Sequence, residues 1–338
     1  MKTFRRLAAL ALSAAALTAG MLPAAAQDAG PAAYSAALSG KRVMLVPMAM
    51  GFDLAQGWAS YLKPEIEAFG GIFETRDPNW SVEAGAQALT EAVASDPKPD
   101  VLLVMSPDMN SYSKILKKAQ EAGIYVILID NPANFKADAY IGSDWTRLGA
   151  LEAEAVIKGC GEGSSKKIGL VQGDQVNATS LFQYAGIMSV LDQHPDFQVV
   201  AKPDSNWDAT TSRNVTATML QQNPDICGII DFWDGDATGA AAAIRDAGLQ
   251  DKVFLVTTGG GESAACKAIE DGTYGAVVMT ELIRESGDMV AMIKYLLQSG
   301  QPAGTSSAYI YTLLHATTKA DLKPDTCWDL KAMQAAAN

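Results

Sequence analysis

The chain repeatedly exchanges short apolar runs for longer segments of helical period. The clearest run is Ala122-Gly-Ile-Tyr-Val-Ile-Leu-Ile-Asp130-Asn131-Pro132. It is short, rich in β-branched residues, opened by a glycine and closed by a proline, which reads as a strand covered on both faces of a parallel sheet. It ends in Asp130 and Asn131, and the carboxyl end of a strand is where an open α/β sheet binds its ligand. Residues 111–121 read as a helix, so this run closes a strand–helix–strand unit with what precedes it.

The same unit recurs along the chain. Residues 41–47 read as a first strand, followed by a helix over 54–69 that Pro64 bends and Gly70-Gly71 ends. A strand over 72–75, a helix capped by Ser81 and running to 94, a strand over 100–105 and a short strand over 139–142 follow. The pattern then restarts with a helix over 146–158 and a strand over 167–171. Helices over 178–194, 208–222 and 234–247 alternate with strands over 198–201, 226–231 and 252–256. A helix over 283–298 and a strand-like 308–311 complete it. Two successive sets of similar size predict an α/β fold of two similar doubly wound parallel-sheet domains, with the ligand between them.

Lys2, Arg5 and Arg6, an apolar stretch over 7–22 and Ala24-Ala25-Ala26 read as an export signal cut after Ala26. The apolar stretch is short and Ala-rich, which disfavours a membrane anchor. Residues 27–40 read as a loose linker. The formal net charge of −12 argues against nucleic acid or an anionic membrane as partner. An exported chain meets an oxidising environment, so one or two disulfides are expected among Cys160, Cys227, Cys266 and Cys327. Three full pairings remain open. The cysteines are far apart and only His194 and His315 are present, so neither a metal site nor a cofactor is expected.

Several short motifs occur in a fixed order: Ala122 to Asp130, Tyr140-Ile-Gly-Ser-Asp144, Val171-Gln-Gly173, Asn223-Pro-Asp225, Asp234 to Ala240, and Lys267-Ala-Ile-Glu-Asp-Gly272. Together they resemble the type I periplasmic sugar-binding proteins of ATP-driven importers, the ribose-binding kind. The resemblance covers about residues 41–311. It implies a periplasmic location, a monomer, and two domains joined by a hinge of three segments, near 141–144, 280–283 and 301–307. The N-terminal domain would comprise 41–143 and 281–307, and the C-terminal domain 144–280 and 308–338. It also implies that the hinge closes on a sugar or polyol and that the closed form docks on a membrane permease.

Sugar recognition needs planar polar groups for hydroxyls and aromatic faces for C–H surfaces. The resemblance places Phe52 as an aromatic wall and Asp53 as a hydroxyl acceptor after the first strand. Ser106 and Asp108 follow the third strand, Asp108 being equally suited to cap a helix. Asp130 matches the family's sugar-binding aspartate, and Asn131 stands where ribose binders carry arginine. Trp145 lies at the first crossing, facing either the cleft or the hinge. Asn177 and Thr179 line the next loop, Trp207 matches a stacking aromatic, and Trp233 and Asp234 follow the strand over 226–231. Gly260 replaces a family aspartate, with Glu262 beside it, and Glu281 flanks the second crossing. Leu181 stands where an arginine is expected. Trp58 is assigned to the core and Asp236 to the first turn of a helix.

Other classes fit less well. No G-x-S-x-G, phosphate loop or dinucleotide fingerprint is present, so no catalytic residue is assigned and the protein is not read as an enzyme. Related repressors carry a DNA-binding segment where this chain has its export signal. The alternatives kept are a receptor for a cationic or other small metabolite, caged by aromatics and acids, and a chemosensory adaptor that presents its ligand to a chemoreceptor. Cys327 is expected to staple the C-terminal tail to the body, with Trp328 packed beneath.

Overall fold

A computed structural model describes residues 30–336. The export signal and its cleavage site lie outside the described residues. The first half contains α1 (Gly30–Leu38), β1 (Arg42–Val46), α2 (Asp53–Glu67), β2 (Ile72–Thr75), α3 (Val82–Ala94), β3 (Val101–Val104), α4 (Ser113–Glu121), β4 (Tyr125–Ile129) and β5 (Ala139–Gly142). There follow α5 (Trp145–Cys160), β6 (Lys167–Val171), α6 (Ala178–Leu191), β7 (Gln198–Ala201), α7 (Ala209–Gln222), β8 (Gly228–Asp231), α8 (Asp234–Asp246), β9 (Phe254–Gly259), α9 (Ser263–Glu270) and β10 (Ala276–Met279). The chain closes with α10 (Leu282–Ser299), β11 (Ala308–Tyr311), β12 (His315–Thr317) and α11 (Leu330–Ala336).

Two six-stranded sheets result, in the orders β2-β1-β3-β4-β5-β11 and β7-β6-β8-β9-β10-β12. Only the β10–β12 pair is antiparallel. The central strands β3 and β8 are buried along their whole length, and β4 from Val126 onward, as strands with helices on both faces must be. An apolar cluster lies on each face of each sheet: Val43, Leu45 and Trp58 against Met44, Val46 and Tyr112 in the first, Ile229 and Leu255 against Ile230 and Val256 in the second. In both sheets the strand order reverses beside the first strand, and such a reversal opens a crevice at the carboxyl ends.

The chain passes from the first sheet to the second after β5, returns after β10, and passes over again between Tyr311 and His315. The third passage corrects the expectation of a crossing over 301–307, with 308–311 in the C-terminal domain. Instead, Ala308–Tyr311 pairs in parallel with Ala139–Gly142 as the edge of the first sheet. Its alternating burial marks a strand covered on one face only.

The linker expected over 27–40 is also corrected within its described part. Gly30–Leu38 is helical, with Leu38 fully buried. Four alanines in nine residues suit a helix, and one buried leucine anchors it.

The disulfides are Cys160–Cys227 and Cys266–Cys327. The second ties the tail to α9, beside which Trp328 donates its indole N–H to the Gly260 carbonyl at 2.7 Å. Beyond it α11 crosses to the first domain: Met333 packs on that domain's core, and Gln334 donates to Gln56 Oε1 at 3.3 Å. The tail therefore touches both domains rather than only the second.

A cross-link that closes a loop of this length stabilises by limiting the unfolded chain. Replacing Cys266→Ser together with Cys327→Ser is expected to lower unfolding free energy by about 2–5 kcal/mol. Urea denaturation checks this, and an unchanged midpoint would mean that the tail is held without the bond.

Candidate functional site

The loops after the strands of both sheets meet in one cleft. It is lined by Phe52, Trp80, Asp130, Asn131, Trp145, Asn177, Thr179, Trp207, Phe232, Trp233 and Gly260, with Met48, Leu54, Met105, Thr258, Gly259 and Thr280 between them. The cavity is about 80 Å³. One water needs about 10–15 Å³, so the space suits a small solute rather than a polymer.

Asp130 sits at the end of β4 with φ 56°, a left-handed backbone that aspartate tolerates better than most residues. Three hydrogen bonds pin that backbone. Its N–H donates to the Ile141 carbonyl at 2.8 Å, and its carbonyl accepts from the Tyr140 hydroxyl and the Trp145 indole, each at 2.7 Å. A Cβ on Gly142 would come within 2.7 Å of the Asp130 Cα, so only glycine allows the neighbouring strand this close. The side chain of Asp130 is 5% exposed, and burial alone pushes its carboxyl up to about 7. Glu285 on α10, also buried and raised by burial and then by Asp130, stands near it, as does Tyr140.

Aromatic rings form the walls. Phe52 and Trp80 of the first domain stand 5.4 Å apart. Trp233 of the second domain meets them at 6.1 and 6.2 Å and continues to Trp207 at 6.4 Å. Trp207 fits because residue 173 is glycine: a Cβ there would lie 2.1 Å from the indole. The domains also touch where Asn177 Nδ2 donates to the Pro107 carbonyl at 2.9 Å. A Cβ on Gly260 would meet Leu54 of the first domain at 2.8 Å.

Most of the residues expected from sequence converge here: Phe52, Asp130, Asn131, Trp145, Asn177, Thr179, Trp207, Trp233 and Gly260. Several polar ones are already engaged. Asn131 Nδ2 donates to the Ser106 carbonyl at 2.8 Å, and Asn177 Oδ1 caps α6 through Thr179 N at 2.8 Å.

Four expected residues are not in the lining. Asp108 turns back on its own loop, accepting from Asn110 N at 2.7 Å, Ser111 N at 2.9 Å and the Ser111 hydroxyl. Burial pushes its carboxyl up, but those bonds outweigh it and hold it below the usual range. Asp53 and Asp234 lie behind the Phe52–Trp233 wall, in a neighbouring cavity with Glu262. There burial, and then the facing Glu262, hold the Asp234 carboxyl well above its ordinary value. Glu281 faces the back of the hinge, where it pairs with His315 at 3.3 Å. Trp58 is core, its indole donating to Glu285 at 3.3 Å, and Asp236 is a buried first-turn residue of α8 that accepts from the Ser205 hydroxyl.

Trp80 was not anticipated, although a signal for it exists. Asp77-Pro-Asn-Trp80 and Asp204-Ser-Asn-Trp207 are the same D-x-N-W pattern, each after the second strand of its sheet. In both, the Asn-Trp pair is left-handed, and the next residue, Ser81 or Asp208, caps the following helix. The repeat puts one tryptophan from each domain into the cleft.

Residues 43–302 match the periplasmic binding protein domain family. The chain belongs to that family. Curated relatives include a D-ribose/D-allose-binding protein of Pseudomonas aeruginosa, 25% identical over 60% of this chain and 64% of its own length. A D-apiose import binding protein of Actinobacillus succinogenes is 28% identical over 55% of this chain and 59% of its own. The matches thus span under two thirds of these relatives. A solute-binding protein of Burkholderia graminis, solved with D-arabinose, superposes with a TM-score of 0.77 at 19% identity, covering 86% of this chain and 99% of that one. At that identity the likeness speaks for the fold. Among the described residues, no helix of this binding protein is long and apolar enough to cross a membrane, and no His, Cys, Asp and Glu group could hold a metal ion.

The raised Asp130 carboxyl has a stability consequence. Between an unfolded value near 3.9 and the folded value of about 7, the native state keeps a proton that the unfolded chain has lost. That stabilisation is complete below the unfolded value and is lost as pH rises through the folded one. Ligand-free protein is therefore expected to lose stability between about pH 4 and pH 7, with Asp236 (about 6) and Glu152 (about 8) acting in the same direction. Asp130→Asn should flatten part of this slope in urea titrations run across that range. An equally steep slope in the variant would show that Asp130 titrates normally.

Proposed function

We propose that this protein is the solute-binding component of an ATP-driven importer. It takes a single sugar or polyol into the interdomain cleft and presents it to a membrane permease. The observation that carries the reading is the Asp130 carboxylate at the carboxyl end of β4, between aromatic walls contributed by both domains. A carboxylate can accept from two adjacent hydroxyls while ring C–H faces stack on indoles. The curated relatives named above, which bind or import ribose, allose and apiose, support the same reading.

The mechanism requires no chemistry on the ligand. The walls meet through Trp233 against Phe52 and Trp80 and through the bond from Asn177 to Pro107, so a solute enters when these contacts part at the hinge. Closure then excludes water and sets the polar contacts in a drier medium. Three chain passages between the sheets allow such a rotation without disturbing either core. The protein works as a monomer in the periplasm after cleavage behind Ala26, in the three-segment hinge arrangement corrected above. A chemoreceptor would use the same closed form as its signal.

Thermal-shift and calorimetric titration of the mature protein with sugars and polyols test this, since a ligand of the folded state raises the melting temperature. Asp130→Ala is expected to abolish binding without unfolding the protein. Trp80→Ala and Trp207→Ala should each weaken it by about tenfold or more. Turnover of the solute, or full affinity in Asp130→Ala, would sink the proposal.

A further inference from the structure

The cleft is unusual in how its polar atoms are committed. Asp130 is the only ionisable side chain in the lining, and no Lys, Arg or His stands among the lining residues. The titratable groups that bear on it, Glu285 and Tyr140, are not cationic. Its carboxylate has no hydrogen-bond donor among the described residues. Burial raises its proton affinity, and no cation among the described residues offsets that.

The remaining polar groups mostly donate inward. Thr258 Oγ1 donates to the Val278 carbonyl at 2.6 Å, Thr280 Oγ1 to the Gly259 carbonyl at 3.4 Å, and Thr179 Oγ1 to Asn177 Oδ1. One amide hydrogen of Asn131 goes to Ser106, and one of Asn177 goes to Pro107. A hydroxyl that has donated its proton can only accept. The cleft thus offers acceptors, while its donors are reduced to spare amide hydrogens, the indole N–H groups of the walls and the proton that Asp130 itself holds below about pH 7.

A neutral sugar carries more acceptor sites than donors, since each hydroxyl has one proton and two lone pairs and the ring oxygen only accepts. Each hydroxyl buried without a donor to its oxygen loses its water for nothing. An ammonium is the opposite: three donors, no acceptor and a positive charge. It would match the acceptor surplus, pair with an uncompensated carboxylate, and face the electron-rich rings of Phe52, Trp80, Trp207 and Trp233.

Resting on the sugar-or-polyol reading above, we infer that the preferred solute is an aminated sugar or polyol. Its ammonium pairs with Asp130 and its ring lies between Phe52, Trp80, Trp207 and Trp233.

The test titrates the mature protein at neutral pH with matched pairs: D-glucosamine and D-glucose, D-galactosamine and D-galactose, D-mannosamine and D-mannose. The N-acetylated forms keep the ring and remove the charge. At least one amino sugar is expected to bind about tenfold or more tighter than its parent. N-acetylation should abolish that advantage. In Asp130→Asn, checked for folding by its melting transition, the ratio of amino to neutral affinity should fall to about one. The N-acetyl comparison in the wild type stands even where that variant does not fold. Neutral parents binding as tightly as the amines would overturn the inference and leave the sugar reading intact. No response to any sugar, amino or neutral, would overturn both.

Discussion

Asp130 is held by three hydrogen bonds to its backbone and none to its carboxylate among the described residues. That imbalance orders much of the site. The left-handed turn needs Tyr140 and Trp145 to hold it, and Gly142 to let β5 pass closely enough for Tyr140 to reach. A buried carboxylate without a partner is costly, and burial answers by raising its proton affinity. Under the proposed function, a solute that donates to it relieves that cost, so the same feature that weakens the empty protein at neutral pH would favour the bound state.

The aromatic walls supply a second constraint. Trp80 and Trp207 enter from equivalent loops of the two domains, each through a left-handed Asn-Trp pair followed by a helix cap. A repeated local conformation built into similar folds yields facing surfaces, because each loop leaves the second strand of its sheet at the same carboxyl edge. Trp233 bridges them across the interface. Under the proposed function, stacking on these rings depends on closure, which would couple the hinge to the solute.

The C-terminal tail adds a further tie between domains beyond the three passages. Cys327 holds it to α9, Trp328 bonds to Gly260 at the rim of the cleft, and α11 rests on α2. Trp328 also fills the space left by Gly57: a Cβ there would come within 3.0 Å of its ring. The tail therefore passes between the loop after β9 and α2, both of which border the cleft.

Much of this could be read without coordinates, because the signals are local. Short β-branched runs bounded by Gly and Pro report strands buried on both faces. Their alternation with helices forces parallel sheets, and parallel sheets put their loops at one edge, which places Asp130 and Asn131 at a ligand-binding end, whereas Phe52, Trp207 and Trp233 are assigned through the family resemblance. Other features depend on pairings distant in sequence. Whether Ala308–Tyr311 joins β5 or the second sheet is decided by which edge is free, not by its own residues. Which cysteines meet depends on how α5 lies against β8 and the tail against α9. Acids defeated the reading most often. Asp108, Asp234 and Glu281 all follow strands as Asp130 does, but Asp108 is taken by donors of its own loop, and only the tertiary structure sets Glu262 beside Asp234 and His315 beside Glu281.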